Sequence, residues 1–245
     1  MDTATRHAVV ALGGPDGRLV AAIVREMVPG RGTPLLSLLE EALSSAGATI
    51  RDVEAIGVGT GPGSFTGLRA GLATAKTLCW RRGLPLVALP TDDLLRRAAA
   101  LADPSLDGLV AVLLPAGAHD HYLALPGADP TLVPPTADLA ALVAGLPVLG
   151  LDLAADGPSG ALAQELVAMG HPDPLALGAA ARRRLPEASL LVMGERLASG
   201  SLEDPATLVP RYVAMPRGIA EAPVEGGTTV IDTSRRDEAW SRTRP

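Results

Sequence analysis

Five glycines, at positions 57, 59, 61, 63 and 67, stand between an apolar run and a stretch with helical periodicity. No other feature of the chain restricts its fold so sharply. Ala55 to Gly59 reads as a short strand, and Leu68, Leu72, Ala75 and Cys79 then mark one face of a helix. A strand that passes into a helix through residues able to take φ > 0 belongs to an α/β layer. Two readings of the turn compete. Its bare N–H groups can converge on an anion, or its missing side chains can let two pieces of backbone pack closely.

The core must suit that layer with little aromatic help. Of 245 residues, 47% are hydrophobic and 2% aromatic, so Ala, Leu and Val carry the interior. That favours stacked helices and strands over an aromatic-filled sandwich, in one large or two small domains. Mean hydropathy is +0.27, yet no run reaches the roughly 18 apolar residues a spanning helix needs, so no membrane segment is expected. Cys79 is the single cysteine, which excludes an internal disulfide and a cysteine zinc site and suits a reducing cytoplasm. Met1 to His7 shows no basic segment leading into an apolar one, so no secretory signal is expected.

Residues 1–100 hold 11 basic and 9 acidic side chains, residues 101–200 hold 4 and 11, and residues 201–245 hold 6 and 7. The acidic middle would repel a phosphate backbone, so tight nucleic-acid binding by the chain alone is not expected. Lys76 is the only lysine among 21 basic residues, a bias to which no function is assigned.

His7 to Leu12 and Arg18 to Arg25 read as a β-hairpin across Gly-Gly-Pro-Asp-Gly. A helix over 34–46 follows, with Thr33-Pro34 at its start. After the glycine turn and its helix come a strand at Leu86 to Leu89 and a helix capped by Thr91-Asp92-Asp93. Leu101 to Asp107 reads as an interdomain crossing. Beyond it the spacing predicts strands at Leu109 to Leu114, His121 to Leu125 and Pro147 to Leu151, and helices at Ala137 to Ala144, Gly160 to Ala168 and Leu185 to Leu197. The second half repeats the first in outline, giving domains 1–103 and 104–215. Residues 216–245 lose periodicity and read as a disordered tail. Within it Val230-Ile231-Asp232-Thr233-Ser234 echoes Met1-Asp2-Thr3-Ala4-Thr5, a likeness short enough for chance.

The generic phosphate loops fail on spacing. A Walker loop needs Gly-Lys-Ser/Thr, but Gly67 is followed by Leu68 and Arg69. A dinucleotide fingerprint needs another glycine spacing and an acid about 20 residues on. Ser64 misses the Gly-x-Ser-x-Gly elbow by one position, so a hydrolase of the glycopeptidase type has no nucleophile and base. The string Gly61-Pro62-Gly63-Ser64-Phe65-Thr66-Gly67-Leu68-Arg69, with Gly71, Ala75-Lys76 and Leu84-Pro85-Leu86, instead resembles the signature of the TsaB (YeaZ) family. The likeness covers residues 1–100 well and 101–214 only in layout.

That resemblance implies two similar, degenerate actin/sugar-kinase/Hsp70-like α/β domains, each a mixed sheet with flanking helices. It implies a non-catalytic subunit of the machinery that makes N6-threonylcarbamoyladenosine at adenosine 37 of tRNA. TsaD, which carries the metal and the chemistry, would be its heterodimer partner, TsaE would join the complex, and tRNA would be met only through it. A homodimer when the chain is alone is compatible with this. The chain would hold no cofactor of its own and no metal, with room for ATP or ADP at the interface of the complex. The partner surface would use the first two helices through Leu35, Leu39, Arg69, Ala73, Lys76 and Trp80, with the Gly61–Gly67 loop and Arg69 as an anion or interface contact. Between Glu54 and Asp92 there is no acid, which weighs against the alternative of an active ATP-dependent phosphotransferase.

The chain departs from the family pattern at several points. It reaches Asp2-Thr3 with hardly any apolar strand ahead, Gly32-Thr33-Pro34 stands where a His-Ser pair is usual, and in Leu114 to Tyr122 only Tyr122 keeps its place. Pro210-Arg211-Tyr212-Val213-Ala214 resembles Pro-x-Tyr-Leu-Arg without its arginine. His119 and His121 would share a strand face but lack a third metal ligand, and Arg182-Arg183-Arg184 reads as a solvated helix face.

Overall fold

The computed structural model describes residues 1–213 apart from 15, 29–33, 118, 155 and 157. The expected tail and the Gly32-Thr33 pair lie outside the described residues, apart from Pro34. Met1–Ala214 make up one unit.

The hairpin forms as its alternation predicts. β1 (His7–Gly13) pairs antiparallel with β2 (Leu19–Glu26), burying Ala8 and Val10 against α1 (Leu35–Ser45). β3 (Ile56–Gly61) leads through the glycine turn into α2 (Phe65–Arg82), and β4 (Leu86–Pro90) returns parallel to β3. α3 (Thr91–Ala102) follows without a side-chain cap, because Thr91 lies inside the helix and turns its hydroxyl elsewhere. The Thr91-Asp92-Asp93 cap is corrected accordingly. β3 and β4 are buried along their whole length, as strands covered on both faces must be.

Met1 and Asp2 lie between the two strand pairs. Asp2 exchanges both backbone hydrogen bonds with Val9 at 2.8 Å, while Met1 accepts from the Gly59 N–H at 2.9 Å and its amino group donates to Gly57. Two residues thus bridge the β1-β2 and β3-β4 pairs.

In the second half β5 (Ala111–Ala116), β6 (Asp120–Ala124), β7 (Thr131–Val133) and β8 (Val148–Gly150) form a mixed sheet in the order β7-β6-β5-β8. α4 (Leu139–Val143), α5 (Pro158–Ala168) and α6 (Pro174–Ala198) accompany it. α6 is far longer than the Leu185 to Leu197 expectation, for Pro186 sits inside it. A proline removes one helical hydrogen bond, but Leu185, Pro186, Ala188 and Val192 are buried, and that packing carries the helix through. The largest core cluster joins Val9, Val87, Leu94 and Leu95 to Val112, Leu149, Leu185 and Val192, so residues from both halves of the chain share it.

Candidate functional site

Ser64 caps α2 by accepting the Gly67 N–H at 3.2 Å. Ser64 is thus the capping residue of this turn. The Ser64 N–H donates to the Ala4 carbonyl at 2.6 Å, and Gly61 N–H donates to the Thr91 hydroxyl at 3.2 Å. Three N–H groups of the turn are therefore bonded inside the chain rather than open to an anion.

The segment packed into this turn is residues 2–4. Thr3 donates its hydroxyl to the Gly67 carbonyl at 2.7 Å. One Asp2 oxygen accepts the Ala4 N–H at 2.6 Å and the other accepts the Thr91 hydroxyl at 2.9 Å. A Cβ at Gly59 would stand 2.4 Å from the Asp2 carboxylate, one at Gly63 2.2 Å from the Ala4 oxygen, and one at Gly67 1.9 Å from the Thr3 oxygen. Close backbone packing is thus the reading of the glycines that the geometry supports. Asp2 is 1% exposed, and burial pushes its carboxyl above the ordinary value while its two donors pull it back. Gly61 and Pro62 are buried and joined by a cis bond.

The outer side of α2 carries a second cluster. Arg69 lies over the Phe65 ring at 3.9 Å and its Nε donates to the Tyr212 hydroxyl at 3.1 Å, while the Phe65 and Tyr212 rings stand 5.2 Å apart. Lys76 is half-buried and donates to the carbonyls of Leu208 at 3.0 Å and Ala206 at 3.5 Å. The residues before Val213 therefore lie along α2 and occupy Arg69 and Lys76. Arg211 continues the strap, its N–H on Thr60 at 2.8 Å and its guanidinium on Asp92 at 3.0 Å and Asp129 at 3.2 Å. Asp92 also takes Arg96 at 3.1 Å. Burial and the Asp92 charge push the neighbouring Asp93 carboxyl upward, against the arginines around it.

Two expected contact residues need correction. Leu35 and Leu39 are buried, packed with Ala8 and Val10, because the hairpin covers that face of α1. Leu36 is the outward leucine there, and Ala73 and Trp80, the latter 76% exposed, face outward from α2.

His119 and His121 do not act together: His119 is exposed, while His121 is buried with its Nε2 2.9 Å from the Ser159 hydroxyl. Burial lowers the His121 pKa. Among the described residues no group of three His, Cys, Asp or Glu could hold a metal ion. Arg182 and Arg184 are engaged by Asp152 at 2.9 Å and Glu187 at 3.1 Å, leaving Arg183 as the solvated member of the run. Sequence reasoning missed Thr91, Arg211 and Asp152. Only Arg211 had a local signal, in its place beside Tyr212 in the Pro-x-Tyr motif.

The fold and this filled turn define a mixed α/β protein whose loop after β3 receives the chain's own backbone. A family model described as TsaD, tRNA N6-adenosine threonylcarbamoyltransferase, matches residues 33–177. The chain belongs to the TsaB/TsaD family. It is 37% identical over 93 residues to a tRNA N6-adenosine threonylcarbamoyltransferase of Sphingopyxis alaskensis, a match covering 38% of this chain and 27% of the relative. It is 36% identical over 92 residues to the tRNA threonylcarbamoyladenosine biosynthesis protein TsaB of Escherichia coli, covering 37% of this chain and 38% of that one. The chain thus spans less than two-fifths of either relative. In fold it is similar to a Pseudomonas aeruginosa protein described as having similarity to peptidase YeaZ, with a TM-score of 0.61 at 20% identity over 87% of this chain and 97% of that one. YeaZ from the same organism superposes with a TM-score of 0.57 at 22% identity, over 86% and 96%.

Proposed function

We propose that the chain is a non-catalytic subunit of the tRNA threonylcarbamoyladenosine machinery that pairs with TsaD, with TsaE joining and tRNA met through the complex. The observation that carries this reading is Asp2. Among the described residues it is the one acid at the glycine turn, and both its oxygens are engaged within the protein while Gly59 lies against its face. Phosphoryl transfer needs a carboxylate free to hold a cation beside the phosphates. The other nearby acid, Asp92, faces Arg96 and Arg211 instead. An ATP-dependent phosphotransferase is therefore the weaker reading, and ATP or ADP would belong to the interface of the complex.

The docking face on this reading runs over the outer sides of α1 and α2, with Leu36, Ala73 and Trp80 exposed and Arg69 held by its ring contacts. An exposed tryptophan and an arginine on one helix are residue types that anchor interfaces. The chain would work in the cytoplasm, its two halves being 1–103 and 104–215. Capture of purified TsaD by the full chain, weakened by Trp80→Asp, is the expected result. Folded chain that neither captures TsaD nor restores a TsaB-depleted strain, or that turns over ATP alone, overturns the reading.

A further inference from the structure

β2 is the outer strand of the hairpin, and among the described residues no strand pairs with its far edge. The hydrogen bonds to β1 show which groups that edge offers. Met27 donates its N–H to the Arg6 carbonyl and Gly14 donates to the Arg18 carbonyl, so the register makes Arg25, Ile23 and Ala21 the residues that bond β1. Leu19, Ala22, Val24 and Glu26 fall between those bonds, opposite Gly13, Ala11, Val9 and His7, and turn their N–H and C=O outward. Val9 does the same on the other side of β1, where both its backbone groups go to Asp2.

The side chains along this edge are apolar. Leu19, Ala22 and Val24 share one face because their partners Gly13, Ala11 and Val9 do, and all three are exposed, Leu19 at 43% and Val24 at 42%. Edges of stable monomers are guarded by charge, proline or a bulge. Leu19 to Val24 has neither charge nor proline, and its irregularity is one extra residue, Val20, between the Leu12–Ala21 and Gly13–Leu19 pairs. That bulge leaves the edge open. It makes the step from Ala22 back to Leu19 equal to the step from Ala11 to Gly13, which is two residues of regular strand.

A second copy of the same edge fits it, antiparallel, with a two-fold axis through Ala22. The step from Ala22 to Leu19 in one copy then matches the step from Ala22 to Val24 in the other. Ala22 meets Ala22, Leu19 meets Val24, and each pair can exchange both backbone bonds. Past them the exposed Glu26 of one copy comes beside the exposed Arg18 of the other, once at each end. An axis at Ile23 would instead set Glu26 against Leu19, and one at Val24 would set it against Ala22. Apolar matching and charge matching therefore choose the same register.

We propose that the outer edge of β2 is a self-association site, where a second copy of this chain adds antiparallel about Ala22 and joins the two hairpins in one sheet. None of its residues belongs to the α1 and α2 face assigned to TsaD, so self-association is read without TsaD. Sedimentation equilibrium of the full chain should show a dimer that dissociates on dilution. Ala22→Lys, at an exposed position, sets two like charges on the axis and should raise the dissociation constant about tenfold or more while the thermal midpoint stays. Arg18→Glu sets an acid against Glu26 at both ends and should raise it about fivefold, and Arg18→Glu with Glu26→Arg should restore the native value. This charge exchange decides the matter even if Ala22→Lys fails to fold. A native chain that stays monomeric into the high micromolar range overturns the proposal. So does a dimer indifferent to Ala22→Lys and to Arg18→Glu, or one dissolved by Trp80→Asp, because the contact would then lie elsewhere.

Discussion

The turns that follow β3 and β8 both bring backbone against backbone, and they do so by opposite means. After β3, glycines leave room for residues 2–4, which are held by the Thr3 hydroxyl on the Gly67 carbonyl, the Ser64 N–H on the Ala4 carbonyl and the Thr91 hydroxyl on the Asp2 carboxylate. After β8, one close approach, Gly178 on the Gly150 carbonyl, is joined by a charged node. Asp152, in a left-handed conformation at φ 59°, accepts the Arg6 N–H, pairs with Arg182 at 2.9 Å and stands 3.7 Å from His7. Both turns should therefore be sensitive to added volume, and the second also to loss of the charged pairs around Asp152.

The sharpest way to break that comparison is to add one carbon to each turn. Gly67→Ala places a Cβ 1.9 Å from the Thr3 oxygen and Gly178→Ala one 2.0 Å from the Gly150 oxygen, both fixed backbone. Each should lower unfolding stability by about 3 kcal/mol or more, read from denaturant midpoints. A Gly67→Ala protein as stable as the parent would mean that nothing threads the turn.

Removing charge should separate the two regions. Asp152→Asn leaves Arg182 facing a neutral partner, with its Nε already unbonded and buried, and should cost about 1–3 kcal/mol. Ser64→Ala, the matching loss of a neutral contact, should cost about 1 kcal/mol through the lost helix cap. Reversal of that order in thermal melts would show that the node after β8 is not where stability lies.

Acid should act on the second half through His121. Burial lowers its pKa below 6.5, so the folded state holds a proton less readily than the unfolded chain. This contribution is intact above the ordinary value and is lost as pH falls below it. Midpoints followed from about pH 8 to about pH 5 should drop more steeply for the parent than for His121→Gln. The smallest effect is expected at Trp80: Trp80→Ala should move stability by less than about 0.5 kcal/mol while weakening capture of TsaD.

Local signals were enough for the hairpin, for β3, α2 and β4, and for Ser64 as a cap, since period, glycine and serine act within a few residues of their own position. They failed where distant chain decides. Leu35 and Leu39 showed helical spacing, but nothing nearby told that β1 would cover them. Thr91 looked like a cap because its real partner, Asp2, is 89 residues away. Helical spacing marked only Leu185 to Leu197, whereas α6 starts at Pro174 and runs through Pro186, whose missing N–H is outweighed by buried neighbours on both sides. The glycine turn reads in sequence either as an anion contact or as a place of close approach, and only the fold could show that residues 2–4 make the approach.

Cys79 gives the first of these regions a clock. It is the single cysteine, buried on the inner face of α2, and burial pushes its thiol up to about 11. A thiol-directed reagent at neutral pH then finds almost no thiolate until α2 lifts from β3 and β4. The rate at which label accumulates is the rate at which that layer breathes, and cysteines introduced on the surface can be labelled first, against a silent background.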